Sequence, residues 1–113
     1  LLAKDNLDEA VDFSTKAARL RPSEPRYAYT SAVYLLQKGD ADAARSELEH
    51  LISQHPAYGE AYALLGAIYE KQGNKDAAIK VYDRGLAAEG IPAAYKVRLK
   101  MHADALKRGQ AKQ

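Results

Sequence analysis

Three histidines, His50, His55 and His102, are the side chains best suited to bind a metal or move a proton near neutral pH. His50 and His55 stand five residues apart, a spacing that does not put both on one helical face. No acidic partner stands at a metal-ligand spacing beside them, so they read as surface histidines. Ser14, Ser31, Ser46 and Ser53 lack the strand–turn–helix setting of a nucleophile elbow. Gly66, Gly73 and Gly85 form no phosphate loop, because no strand signal precedes them and no Gly-Lys-Ser/Thr follows. Glu47 and Glu49 read as a solvated helix face. The chain has no cysteine, which excludes disulfides, thiolate nucleophiles and cysteine metal sites. The reading is of a non-enzyme that needs neither cofactor nor metal.

The elements that carry these residues come in repeats. When the chain is shifted by 34 residues, Gly39 falls on Gly73, and Asp8, Asp42 and Asp76 coincide. So do Ala10, Ala44 and Ala78, and Asn6, Asp40 and Asn74. Pro22 falls on Pro56, while Gly90 takes the third place with Pro92 close behind. Gly39 and Gly73 follow apolar-periodic stretches and suit the left-handed ends of helices. Asn6, Asp40 and Asn74 suit N-caps, and Glu9 adds a capping-box pattern to Asn6. The alanines are small where two helices touch. Pro22 and Pro56 close a unit and are tolerated in the first turn of the next helix. The pattern predicts helices near 6–20, 24–38, 41–54, 58–72, 75–88 and 92–108, with a disordered tail at 109–113. Strand signals are absent.

A chain of 113 residues suits one domain, and 47% apolar residues suffice for a modest core. The net charge of +2 does not by itself point to nucleic acid. No apolar run approaches the ~20 residues that span a bilayer. The first residue is Leu1 and not Met, which reads as a chain cut from something longer. The compartment stays open, with bacterial cytoplasm and periplasm both allowed.

The motif Tyr62, Leu65, Gly66, Tyr69, Ala78 and Tyr82 resembles the tetratricopeptide repeat family, with Tyr62 in place of the usual tryptophan. A more degenerate copy in phase reads Ala28, Ser31, Ala32, Leu35, Ala44, Leu48 and Pro56. The resemblance implies an all-α fold, a right-handed superhelical stack of antiparallel helix pairs. It implies a single domain over 1–108, with a partial repeat at 1–24, repeats at 25–58 and 59–92, and a capping helix at 93–108. The closing proline of the second copy is displaced to Pro92, which predicts a longer last turn. Lys96 and Lys100 replace the equivalents of Tyr62 and Gly66, so residues 93–108 read as a polar cap. At the other end Leu7 and Val11 are expected to lie partly exposed, which suggests self-association through the N-terminal edge.

In this family the first helix of each repeat lines a concave surface that holds another protein. The matching residues are Arg26, Tyr29, Val33 and Leu36, then Glu60, Ala63, Ala67 and Glu70, then Ala94, Val97, Met101 and Asp104. Some relatives clamp a chaperone's C-terminal carboxylate with Lys, Asn and Arg. Tyr29, Val33, Ala63 and Ala67 stand in those places here, so the clamp is absent. The remaining tyrosines read as packing residues, with Tyr62, Tyr69 and Tyr82 in the core alongside Tyr27 and Tyr34. The expected function is a protein–protein interaction module that binds a peptide or helix in an apolar groove. The alternatives are a structural or self-associating segment of a larger protein, and a basic helix around Lys96, Arg98, Lys100, Lys107 and Arg108 that touches nucleic acid or an anionic membrane. The basic helix is better read as a solvated cap, so no nucleic acid is expected. Arg26-Tyr-Ala-Tyr-Thr-Ser-Ala-Val-Tyr34 also loosely resembles first helices in repeat tails of some bacterial multihaem cytochromes, without any haem-attachment motif.

Overall fold

The computed structural model describes residues 4–111. It holds six helices: α1 (Lys4–Leu20), α2 (Pro25–Lys38), α3 (Ala41–Gln54), α4 (Gly59–Lys71), α5 (Lys75–Ala87) and α6 (Ala93–Ala111). No strand occurs among the described residues. The punctuation read from the repeat sets most of the boundaries. Gly39 and Gly73 take φ of 94° and 77°. Each closes its helix with the same pair of bonds: Gly39 N–H donates to Leu36 and Asp40 N–H to Leu35, as Gly73 does to Glu70 and Asn74 to Tyr69. The Asp40 carboxylate then accepts from the Ala43 N–H at 3.1 Å, and the Asn74 amide oxygen from the Ala77 N–H at 3.1 Å, to open α3 and α5. The connection before α6 runs from 88 to 92, one residue longer than those at 21–24 and 55–58, as the displaced Pro92 predicts.

Four local expectations are corrected. Asn6 does not cap α1, because the helix already starts at Lys4. Pro22 and Pro56 lie in the turns before α2 and α4, and it is Pro25 that opens α2. Helix α6 runs to Ala111, so 109–111 are helical: Lys107, Arg108 and Gln110 are good helix formers that outweigh Gly109. The rest of the expected tail, 112–113, lies outside the described residues. Leu7 is buried, because α1 packs along α2 through its Leu7–Ser14 side, while Val11 is half-buried, partly exposed as expected. The exposed apolar residues of α1 are instead Phe13 and Leu20, 75% and 82% accessible.

The sequence reads as one array, whereas the packing falls into two compact units divided between Gln54 and His55. In helical repeat proteins each repeat touches only its neighbours, so packing clusters stay local. In the first unit α2 packs against both α1 and α3. Its core holds Ala32, Leu35, Ala44, Leu48, Leu51 and Ile52. At its centre the fully buried Ser31 donates to the Glu47 carboxylate at 3.2 Å. Ser31 also lies 3.0 Å from the Thr15 hydroxyl, and since Ser31 has one proton, Thr15 is the donor of that pair. Glu47 is thus not the solvated carboxylate the sequence suggested. Burial pushes its carboxyl above the usual range, and the Ser31 hydrogen bond only partly opposes this. Tyr27 and Tyr34 are half-buried, at the edge of this core.

In the second unit α5 packs against α4 and α6, and α4 also meets α6. Tyr62, Leu65, Ile68, Val81, Tyr82, Leu99 and Ala103 make the core, and Tyr69 is half-buried. Two glycines allow close approach. A Cβ at Gly66 would enter the Tyr82 ring, and one at Gly85 would come within 2.6 Å of the Leu99 side chain. Each fully buried large side chain here contributes about 1.5–3 kcal/mol. The Tyr62 hydroxyl donates to the Pro56 carbonyl at 2.6 Å, tying the turn before α4 to the core. Among the described residues, no helix is long and apolar enough to cross a membrane.

Candidate functional site

The residues named from the sequence recur at the 34-residue period, so each helix contributes an equivalent line: 26, 29, 33, 36 on α2; 60, 63, 67, 70 on α4; 94, 97, 101, 104 on α6. In the first unit Tyr29, Val33 and Leu36 are half-buried on α2. Arg26 is exposed and pairs with Glu24 at 3.3 Å.

In the second unit the α4 and α6 lines lie on two helices that pack together. The Tyr95 hydroxyl of α6 donates to the Glu60 carboxylate of α4 at 2.9 Å, and the Tyr95 ring lies directly over Gly59. That contact fixes the first turns of both helices side by side. Ala63 is half-buried and Ala67 exposed on α4, while Val97 and Met101 on α6 are 60% and 67% accessible. A shallow open depression runs along the α6 face that carries Ala94, Val97, Met101 and Asp104. Exposed valine and methionine side chains at i and i+4 form an apolar strip that water covers at a cost.

The carboxylates placed around the groove by the sequence are engaged. Glu60 holds the Tyr95 hydroxyl, Glu70 accepts from the Tyr82 hydroxyl, and Asp104 pairs with Lys100 at 3.2 Å. Burial first, and then the Glu70 carboxylate, raise the Tyr82 phenol, which therefore stays a hydrogen-bond donor. The period did not reveal these phenol–carboxylate pairs, because it records which positions repeat and not which cross between helices. It also passed over Arg98 and Arg108, which line the same α6 depression. The signal was available, since both lie on the helical face of Met101, at i−3 and i+7. Lys96 is half-buried and Lys100 exposed, whereas Tyr62 and Gly66 at the equivalent places are buried. His50 and His102 are exposed, and the His102 ring stacks on Tyr82 at 5.5 Å. Among the described residues no three His, Asp or Glu side chains gather as a metal site would need.

The sequence profile of the tetratricopeptide repeat family matches residues 35–100, more than half of the chain. The chain belongs to the tetratricopeptide repeat family. Its fold class is accordingly the all-α, tetratricopeptide-type α-solenoid. It is 34% identical over 79 residues to the human protein O-mannosyl-transferase TMTC1, covering 70% of this chain and 9% of the transferase. It is 26% identical over 108 residues to the heat-shock protein cognate co-chaperone sgt12 of Aspergillus fumigatus, covering 96% of this chain and 29% of that protein. A TPR repeat-containing protein of Methanocaldococcus jannaschii is 34% identical over 88 residues, or 76% of this chain and 27% of its own length. The chain thus spans less than a third of each of these curated relatives.

Among solved structures, the first TPR of Spaghetti (RPAP3) bound to HSP90 peptide SRMEEVD superposes with a TM-score of 0.67 at 25% identity, covering 89% of this chain and 82% of that one. The Sgt2 TPR domain from Aspergillus fumigatus gives a TM-score of 0.72 at 23% identity, covering 96% and 70%. The latter supports the tetratricopeptide fold alone. Membership of this family makes the chain a protein-interaction module in the broad sense.

Proposed function

We propose that this repeat module holds an apolar segment of a partner protein on the α4–α6 face of its second unit. The observation that carries the reading is the strip of Val97 and Met101, left exposed on α6, a helix that packs against α4. Large apolar side chains held open on a rigid helix suit a partner with small and medium apolar anchors. Tyr29, Val33 and Leu36 are proposed to form the first unit's own contact patch. The peptide bound by the RPAP3 relative supports peptide recognition as the mode. With Val33, Ala63 and Ala67 in place of charged side chains, a carboxylate clamp is not part of the proposal. Burial contributes about 25 cal/mol per Å² of apolar area covered, but ordering costs cancel much of it, so affinity is modest.

The test is selection of binders from a displayed random-peptide library on the folded chain. The selected peptides are then titrated against the Val97→Asp/Met101→Asp variant. Loss of binding with an unchanged circular dichroism spectrum is expected. Undiminished binding would remove the α4–α6 face from the account.

A second reading, self-association, is favoured by Phe13 and Leu20, seven residues apart on one face of α1. Sedimentation at rising concentration tests it. A mass that grows and returns to the monomer value in Phe13→Glu supports it, and a constant monomer mass rejects it.

A further inference from the structure

We propose that the α6 face selects an acidic segment of its partner, seated on Val97 and Met101 with its carboxylates on Arg98 and Arg108. The inference rests on the protein-binding reading above and adds the charge of what is bound.

Helix α6 carries five cations, Lys96, Arg98, Lys100, Lys107 and Arg108, against the single carboxylate of Asp104. Asp104 is paired with Lys100, and Lys107 reaches Asp83 on α5 at 3.2 Å. The two arginines are differently placed. Both line the depression that holds Val97 and Met101. Arg108 makes no ion pair among the described residues. The Arg98 guanidinium lies over the Tyr95 ring, 5.5 Å from its centre, a contact that orients the group and leaves its charge uncompensated. An oriented guanidinium offers a planar fork that fits a carboxylate at two points. On α4, Glu60 and Glu70 each accept a tyrosine hydroxyl, and neither lines the depression that holds the two arginines. The complement is an apolar anchor flanked by Asp or Glu.

Two other polyanions fit less well. Single-stranded nucleic acid is gripped by aromatic side chains on which bases stack. Tyr95 has its ring between Gly59 and Arg98 and its hydroxyl on Glu60. A helix that lies in a membrane surface turns a broad apolar face outward. The outward apolar face of α6 is narrow instead, with Val97 and Met101 exposed but Leu99 fully buried and Leu106 half-buried.

The experiment uses a short helical model peptide with Leu at i, i+3, i+4 and i+7 and Glu elsewhere, and a twin with Gln for Glu. Both are fluorescently labelled and titrated against the chain. The Glu peptide is expected to bind about fivefold tighter than its Gln twin, as two exposed charge pairs allow. That advantage should vanish in Arg98→Gln/Arg108→Gln with thermal stability unchanged, and fall as salt rises. Equal binding of both peptides, each lost in Met101→Asp, would overturn the acidic preference and leave the protein-binding reading standing. Failure of both peptides to bind would also overturn the preference, and the library selection would then decide the broader reading separately. Tighter binding of oligouridine or of phosphatidylserine vesicles than of the Glu peptide would replace the proposal with one of those ligands.

Discussion

The two units use the same repeat to build opposite interiors. In the first, the space between helices is occupied by a polar relay, with Thr15 donating to Ser31 and Ser31 to Glu47. Thirty-four residues on, Leu65 stands for Ser31 and Val81 for Glu47, and both are buried. The second unit also replaces Ala32 and Leu48 with Gly66 and Tyr82, exchanging a methyl group for a ring. The lesson is that the period conserves the punctuation between helices, while polarity and side-chain size inside each unit are free to differ. The second unit's core interlocks Gly66 with Tyr82 and packs against α6, which carries the exposed Val97 and Met101. The first unit's centre depends on a half-buried carboxylate.

The largest effect comes from breaking the interlock. Gly66→Val is expected to cost about 1–3 kcal/mol in denaturant unfolding, because the Tyr82 ring cannot move away without disturbing the core. Borrowing the first unit's pair sharpens the comparison. Gly66→Ala with Tyr82→Leu should be less destabilising than the sum of the two single changes, with a coupling of about 0.5 kcal/mol or more. Strict additivity would mean the two positions do not compensate.

Next comes the relay. Ser31→Ala leaves Glu47 without its buried donor and is expected to cost about 1 kcal/mol. Burial of Glu47 also makes the first unit pH-dependent. Because burial raises the Glu47 carboxyl, the fold retains a proton there at a pH where the unfolded chain has lost it. Its contribution is therefore fully present below the ordinary carboxylate range and is lost as pH rises through the raised value. Unfolding followed against pH should show this decline in the native chain and a flatter profile in Glu47→Gln.

Tyr95→Phe removes the hydroxyl that joins α6 to Glu60 and should cost about 0.5–1.5 kcal/mol, read as a fall in thermal midpoint. The smallest change is expected from Lys107→Gln, about 0.5 kcal/mol or less, because its pair with Asp83 is exposed on both sides.

The fold was largely legible because repeat punctuation is local. Gly39, Asp40, Gly73 and Asn74 act on their own turns, and their residue types suffice to place the helix ends. What stayed hidden was pairwise and non-local. Ser31 and Glu47 meet sixteen residues apart and Tyr95 and Glu60 thirty-five apart. A helical period says which face each residue occupies, but the identity of its partner across the interface depends on packing. The exposure of Phe13 in place of Leu7 has the same origin, since the α1 register is set by which side lies along α2. The candidate surface was legible as positions 34 residues apart, with Arg98 and Arg108 on the same helical face as Met101, whereas the engagement of Glu60 and Glu70 needed the helices brought together.

The most direct test of the protein-binding account is an NMR titration of the isotope-labelled chain with a library-selected peptide. The account predicts that the strongest shifts fall on Ala63, Ala67, Val97, Met101 and their neighbours on α4 and α6. Shifts concentrated on α3, or around Phe13 and Leu20 on α1, with α4 and α6 silent, would contradict it.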